Sequence, residues 1–256
     1  MHRIAILNQK GGSGKTTTAV NLAAALAEHG VPVLVVDLDP SAHATNWLDC
    51  TDTGKGLYEA FTEKQPLQAV VWHTANPNLD LIPSSRAWLS HVERVLVGSL
   101  TPYAVLKDRL DELQGPWRYI FLDCPPNLGT LSLNALAAAR ELYVPVVPGS
   151  MELDGFKELL NTLQEIHAAA LNPNLELTGV LLCRHDARTR LARGVLDMLR
   201  SHFEGKVFNT IIRETVRLSE APGHCKTILA YAPDSTGAAD YRALASEVMA
   251  RHGDAQ

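Results

Sequence analysis

Short apolar runs alternate along the chain with longer segments whose apolar residues recur at helical spacing. Ile4 to Leu7, Val31 to Asp37, Leu79 to Pro83, Trp117 to Asp123, Tyr143 to Val147 and Leu177 to Cys183 are mostly apolar and rich in β-branched and aromatic residues. Runs of this kind predict strands buried on both faces of a sheet. Between them, Ala19 to Glu28, Trp88 to Val97, Tyr103 to Leu113, Leu131 to Leu142 and Met151 to Leu171 predict helices, and a last helix runs to about Arg251 with Ser235 or Thr236 as its cap. Trp88, Val92, Val95 and Leu96 are expected on the core face of their helix. Repeated strand–helix alternation predicts an α/β fold, a mostly parallel twisted sheet with helices on both faces.

One stretch changes this picture from a fold to a chemistry. Asn8-Gln9-Lys10-Gly11-Gly12-Ser13-Gly14-Lys15-Thr16-Thr17 joins the first strand to the first helix. A glycine-rich turn between a buried strand and a helix is the setting of a phosphate-binding loop, which places the fold among the P-loop NTPases. Glycines let the backbone take positive φ and bring N–H groups of residues 10 to 17 close to phosphate oxygens. The helix start adds free N–H donors and a positive dipole end. Lys15 is placed for the β- and γ-phosphates, and the Thr16 hydroxyl for Mg²⁺. The general pattern has Gly six residues before that lysine. Here Gln9 stands there, and a second lysine, Lys10, opens the loop.

Carboxylates follow at two strand ends. Asp37-Leu38-Asp39-Pro40 closes the second strand, where open α/β sheets place ligand chemistry. Trp117 to Asp123 ends in Asp123-Cys124-Pro125-Pro126, a Walker B pattern whose aspartate, Asp123, holds a Mg²⁺-bound water. Cys124 is expected to pack rather than react.

Composition narrows the class. At 256 residues and 46 % hydrophobic, the chain is expected to form one large domain over residues 1–256. Four widely spaced cysteines without a C-x-x-C pair argue against structural zinc and a disulfide framework, and fit a reducing cytosol. No signal-peptide core precedes the loop and no apolar run is long enough for a membrane span, so a cytoplasmic protein without membrane contact is expected. The net charge of −5 argues against a globally basic nucleic-acid binder. Residues 184 to 217, however, hold eight Arg and Lys against four Asp and Glu, a local +4 that leaves −9 elsewhere. Charge alone leaves two readings open, solvated arginines on helix faces or a phosphate-backbone binder.

Lys10-Gly-Gly-Ser-Gly-Lys15-Thr-Thr resembles the deviant Walker A motif of the ParA/MinD/NifH group of P-loop ATPases. The likeness to ParA/Soj partitioning proteins continues through Asp37-x-Asp39-Pro, Asp123-x-Pro-Pro, Asp186-Ala-Arg188-Thr, Val216-Arg217-Leu-Ser-Glu-Ala-Pro and the last helix, from Ile4 to Arg251. The resemblance implies an ATP-bound sandwich homodimer in which Lys10 reaches the partner subunit's phosphates. It implies that Asp39 positions the attacking water, that Asp37 supports the Mg²⁺ shell, and that the Asp123 segment senses the γ-phosphate. ATP and Mg²⁺ are the implied ligands. Arg188 and Arg217 match arginines that touch non-specific double-stranded DNA, and no aromatic residues interleave them to suggest base stacking. The implied role is chromosome or plasmid segregation on the nucleoid, with a ParB-like partner stimulating hydrolysis.

Two segments depart from the family pattern. Ser41-Ala42-His43 replaces Gln-Gly-Asn, and Ile212-Arg213-Glu214-Thr215 replaces Ile-Pro-Arg-Asn beside the adenine pocket, where Arg213 is expected to add a phosphate contact. The first departure keeps a low-turnover, nucleotide-gated scaffold or another positioning ATPase as the alternative function. A MinD-like membrane switch lacks its basic amphipathic tail here, because Gly253 interrupts the end of the chain. No helix-turn-helix region is expected before the phosphate loop.

Overall fold

The computed structural model describes residues 1–50, 56–63, 65–84, 89–97, 101–148, 153–185 and 190–254. Seven strands form one sheet: β1 (His2–Ile6), β2 (Val33–Asp37), β3 (Trp72–His73), β4 (Leu79–Ile82), β5 (Tyr119–Asp123), β6 (Glu141–Val146) and β7 (Glu176–Leu182). Their spatial order is β3-β4-β2-β5-β1-β6-β7. Only β3 is antiparallel, paired to β4 at the sheet edge; the other neighbours run parallel.

The central strands explain themselves physically. β2 and β5 are buried at every position, as a strand covered by helices on both faces must be. One helical layer holds α1 (Lys15–Glu28), α2 (His43–Trp47), α10 (Ile228–Tyr231) and α11 (Thr236–Arg251). Leu22, Leu26, Tyr241, Leu244 and Val248 fill its core against Ile4, Val35 and Phe121. The opposite layer is built from α3 (Leu57–Thr62), α4 (Leu89–Val97), α5 (Val105–Glu112), α6 (Thr130–Ala138), α7 (Leu153–Ala168) and α8 (Arg190–His202). Leu106, Leu131, Leu136 and Leu199 pack there against Leu34, Ile120 and Val180. A short helix, α9 (Val216–Glu220), leads through a 3₁₀ turn at Ala221–His224 back toward the first layer.

Two expectations are corrected and a third is narrowed to one residue. Val92 and Leu96 are buried in α4 as expected, but Val95 is 51 % exposed, since α4 buries a narrower stripe than the apolar spacing suggested. The helix predicted to reach Leu142 ends at Ala138, and Leu142 lies inside β6. Arg140 N there bonds Arg3 O, and pairing with β1 takes over from the helix. The predicted cap of the last helix resolves to Ser235, whose Oγ accepts from Ala238 N–H at 3.2 Å. Trp88, the fourth residue expected on the α4 core face, lies outside the described residues.

Candidate nucleotide site

Every strand of the central four, β2-β5-β1-β6, ends at the same edge, and the loop after β1 lies across it. Gly12 and Gly14 take φ of +74° and +96°, conformations that a side chain would strain. α1 starts at Lys15 with Gly14 as an N-cap that offers no side-chain acceptor. The first-turn amides of Lys15, Thr16 and Thr17 therefore have no intrahelical acceptor, and they converge where an anion would sit. The loop lines a cleft of about 590 Å³ together with Asp39, His43, Asn46, Pro126 and Pro222.

Inside this cleft the charges are arranged unevenly. Lys15 is buried, its Nζ bonds Lys10 O at 3.3 Å, and desolvation lowers its pKa, opposed chiefly by Asp123. Lys10 is exposed at the rim and makes no ion pair among the described residues. Asp37 and Asp123 are register partners on adjacent strands, both completely buried. Asp37 is well held. Its Oδ2 accepts from Thr45 N–H at 2.8 Å and from the Thr45 hydroxyl at 2.7 Å, and its Oδ1 accepts from Asp39 N–H at 3.2 Å. Burial nevertheless pushes the Asp37 carboxyl up to about 6.

Asp123 is the exception. Neither of its oxygens has a hydrogen-bond partner among the described residues. Burial first, and Asp37 next, raise its pKa well above the usual carboxylate range; the nearby Thr16 hydroxyl opposes the shift without meeting hydrogen-bond geometry. The Ser13 hydroxyl is likewise buried and unpartnered. Buried polar groups are almost always paired, and unpaired ones gathered in a cleft mark a site whose ligand completes them. An orphaned carboxylate beside a threonine hydroxyl suits a hard, oxygen-seeking cation such as Mg²⁺. The open glycine loop and helix start suit phosphates.

A second cavity of about 280 Å³ adjoins the first, sharing Gly12, Gly14, Thr17 and Pro222 and adding Cys183, Ile212, Arg213 and Tyr241. Arg213 does not stand free here. Its backbone N–H and guanidinium bond Asp240 at 2.6 to 3.0 Å, so in the absence of a ligand its charge is matched within the chain. Cys124 is buried and bonds Leu122 O, a packing role as expected.

The chain matches the family model described as "AAA domain" over residues 1–177. It is 42 % identical over 249 residues to the sporulation initiation inhibitor protein Soj of Bacillus subtilis, covering 96 % of this chain and 98 % of that one. It is 46 % identical to the chromosome-partitioning ATPase Soj of Thermus thermophilus, covering 98 % and 96 %. The chain belongs to the ParA/Soj family of chromosome-partitioning ATPases. Among solved structures, a cobyrinic acid a,c-diamide synthase from Mycobacterium smegmatis with bound ATP analog and magnesium superposes with a TM-score of 0.83 at 31 % identity, covering 99 % of this chain and 96 % of that one. The septum site-determining protein MinD of Pyrococcus horikoshii, complexed with Mg-ADP, gives 0.78 at 26 %, covering 99 % and 98 %.

Within this ParA/Soj chain, sequence reasoning reached residues 10 to 17, Asp37, Asp39 and Asp123, and the structure brings all of them to one edge. Arg217 lies on α9, exposed, with Glu220 at 3.1 Å. Arg188 lies outside the described residues. Thr45, Asn46 and Ser84 were not foreseen. Thr45 fixes Asp37, and Ser84 Oγ donates to Asp39 O at 2.7 Å. The departure at residues 41 to 43 concealed them: Ala42 takes a left-handed φ of 54° and starts α2, which delivers Thr45 to Asp37.

Proposed function

We propose that this chain hydrolyses ATP in a Mg²⁺-dependent, ATP-bound homodimer that holds non-specific double-stranded DNA on the nucleoid and is stimulated by a ParB-like partner. The observation that carries this reading is the pair of lysines at the loop, Lys15 buried inside the cleft and Lys10 exposed at its rim without an ion pair among the described residues. A lysine exposed at the rim, with no ion pair of its own among the described residues, is available to a second copy.

ATP is the substrate. Mg²⁺, when bound, neutralises charge on the transferring phosphoryl group. The loop amides and Lys15 bind and orient the phosphates, with donors fixed before the reaction starts. Thr16 and Asp123 would hold the metal ion, and Asp37 supports that shell indirectly through the bonds that fix Asp39. Asp39 accepts Ser41 N–H at 2.8 Å on one oxygen, which aims its carboxylate into the cleft to orient the attacking water. The adjoining cavity, with Tyr241 and Ile212 in its wall, suits the base and sugar.

Arg217 and Arg188 supply the DNA contact. α9 runs directly into Pro222, which lines both cavities, so occupancy of the cleft and presentation of Arg217 share one segment. The Arg217–Glu220 pair is exposed and weak, and phosphate readily displaces it. Binding to random-sequence duplex DNA across a salt series, with ATP, ADP or no nucleotide, tests the proposal. With ATP the expected slope of log affinity against log salt is about −3.6, from roughly −0.9 for each of four phosphate contacts in the dimer. Arg217→Glu should spare ATP binding and lower DNA affinity. Binding that ignores ATP, or a slope near zero, would sink it.

A further inference from the structure

At the end of the sheet opposite the cleft, β1, β6 and the cap of α11 bring three ligating side chains together. His2 Nδ1 lies 3.3 Å from Glu141 Oε1, and His252 Nε2 lies 2.9 Å from Glu141 Oε2. The three candidate ligand atoms all fall within 4.8 Å of one another, on partly buried side chains. The two imidazoles stack with centroids 3.9 Å apart, so both rings turn their edges toward the same carboxylate.

The hydrogen bonds behind the cluster decide which nitrogen of His252 faces it. The Tyr119 hydroxyl is 2.7 Å from Asp254 Oδ2, and an ionised carboxylate only accepts, so Tyr119 donates there. Its oxygen is then left to accept from His252 Nδ1 at 3.2 Å. With the hydrogen assigned to Nδ1 by this network, Nε2 of a neutral imidazole is a lone pair aimed at another acceptor, Glu141 Oε2. A lone pair and a carboxylate facing each other at 2.9 Å are held together by a positive charge, a second proton on the imidazole or a bound metal ion.

We propose that His2, Glu141 and His252 bind a borderline-soft divalent transition metal ion, Zn²⁺ in character, with water at a fourth position. Two imidazoles and one carboxylate select such an ion over Mg²⁺, which takes oxygen ligands. The outer partners that metal sites need are in place. Tyr119 orients His252, and Thr178 Oγ1 donates to Glu141 Oε2 at 3.1 Å. Ligands about 2.1 Å from a tetrahedral ion lie roughly 3.4 Å apart, near the 3.3 Å and 2.9 Å contacts here, and side-chain rotation supplies the difference. The ion would fasten α11 to β1 and β6, on ligands separate from the oxygen set of the nucleotide cleft.

The test is Co²⁺ titration of the full chain, freed of metal by a chelator and without nucleotide. One equivalent should bind with the visible d–d band of a four-coordinate site, be displaced by Zn²⁺, and ignore excess Mg²⁺. His252→Gln and Glu141→Gln should abolish the band, His2→Gln should weaken binding at unchanged circular dichroism, and Tyr119→Phe should cost about 10–100-fold in affinity. His29→Gln, on an exposed histidine outside the cluster, should change nothing. No saturable band, or a band that survives both His252→Gln and His2→Gln in folded protein, would overturn the proposal and leave a proton-bridged contact between strands and helix.

Discussion

β5 carries a polar residue at each end, Tyr119 and Asp123, and their surroundings are opposite. Tyr119 is buried, yet its hydroxyl meets Asp254 and His252, and Asp254 in turn is gripped by the Arg118 guanidinium, which holds its carboxyl down to about 2. Asp123, four residues along the same strand, is equally buried and has no partner among the described residues. Both ends of the sheet thus contain buried polar atoms. At one end the Tyr119 hydroxyl is satisfied from within the chain; at the other the Asp123 carboxyl is left for something from outside. An unsatisfied carboxyl in a native interior lowers stability, and its persistence is intelligible only where a ligand restores what burial removed.

The contrast can be broken in four ways. The largest effect is expected at the cleft, from Lys15→Ala. ATP hydrolysis should fall by roughly 10²–10³-fold, and ATP-dependent dimerisation should vanish in light scattering. Unchanged dimerisation would remove Lys15 from the site. Asp123→Asn comes next. In the absence of nucleotide it should raise stability by on the order of 2 kcal/mol, since it removes an acid that burial opposes. The same variant should lose the extra stability that Mg²⁺ and ATP confer, as read by denaturant titration with and without them. A destabilised apo variant would mean that Asp123 has a partner after all.

At the satisfied end the sign reverses. Tyr119→Phe should cost about 1.5 kcal/mol, because it leaves Asp254 and His252 short of a hydrogen bond to a charged network. A neutral result would show that water replaces the hydroxyl there. The smallest effect sharpens the comparison through pH. Asp37 holds its proton to about 6 when folded, against an ordinary 3.8, so its contribution is complete below the lower value and lost as pH rises through the upper one. Asp123 is shifted in the same direction. Melting temperature without ligand should therefore fall from about pH 4 to about pH 6 through Asp37, at about 2–4 °C per kcal/mol, and Asp123 should carry the fall to higher pH. With Mg²⁺ and ATP the acids are wanted ionised, and the fall should flatten. A melting curve that rises over this window without ligand would contradict the burial of the pair.

Much of this was legible in the chain itself, for definite reasons. Up to their terminal aspartates β2 and β5 are short runs of large apolar residues, and a sheet covered on both sides accommodates them. Gly12 and Gly14 announced the loop because few other residues tolerate their φ. The exposed Val95 misled because apolar spacing specifies a face without specifying how wide a stripe its neighbours cover. Contacts between distant segments left no local trace. Nothing near Arg213 points to Asp240, and nothing in His2 suggests that the cap of the last helix folds back against it. Thr45 was hidden for another reason: its role depends on Ala42 adopting a backbone conformation that alanine rarely takes.

The threefold grip on Asp37 has a consequence for signalling. A segment tied at Thr45 and Asp39 to one carboxylate, and at Ser84 to the carbonyl of Asp39, is held by four hydrogen bonds that a rearrangement would strain. It can take part in the reaction, but it is a poor messenger. On the function proposed above, a signal of whether the nucleotide still carries its terminal phosphate is expected to leave by another route. The turn after Asp123 qualifies: Pro126 and Asn127 are exposed, and Asn127 is restrained by Ser132 Oγ on its carbonyl. On the function proposed above, a partner that reads the nucleotide state is expected to read that turn rather than the segment beside it.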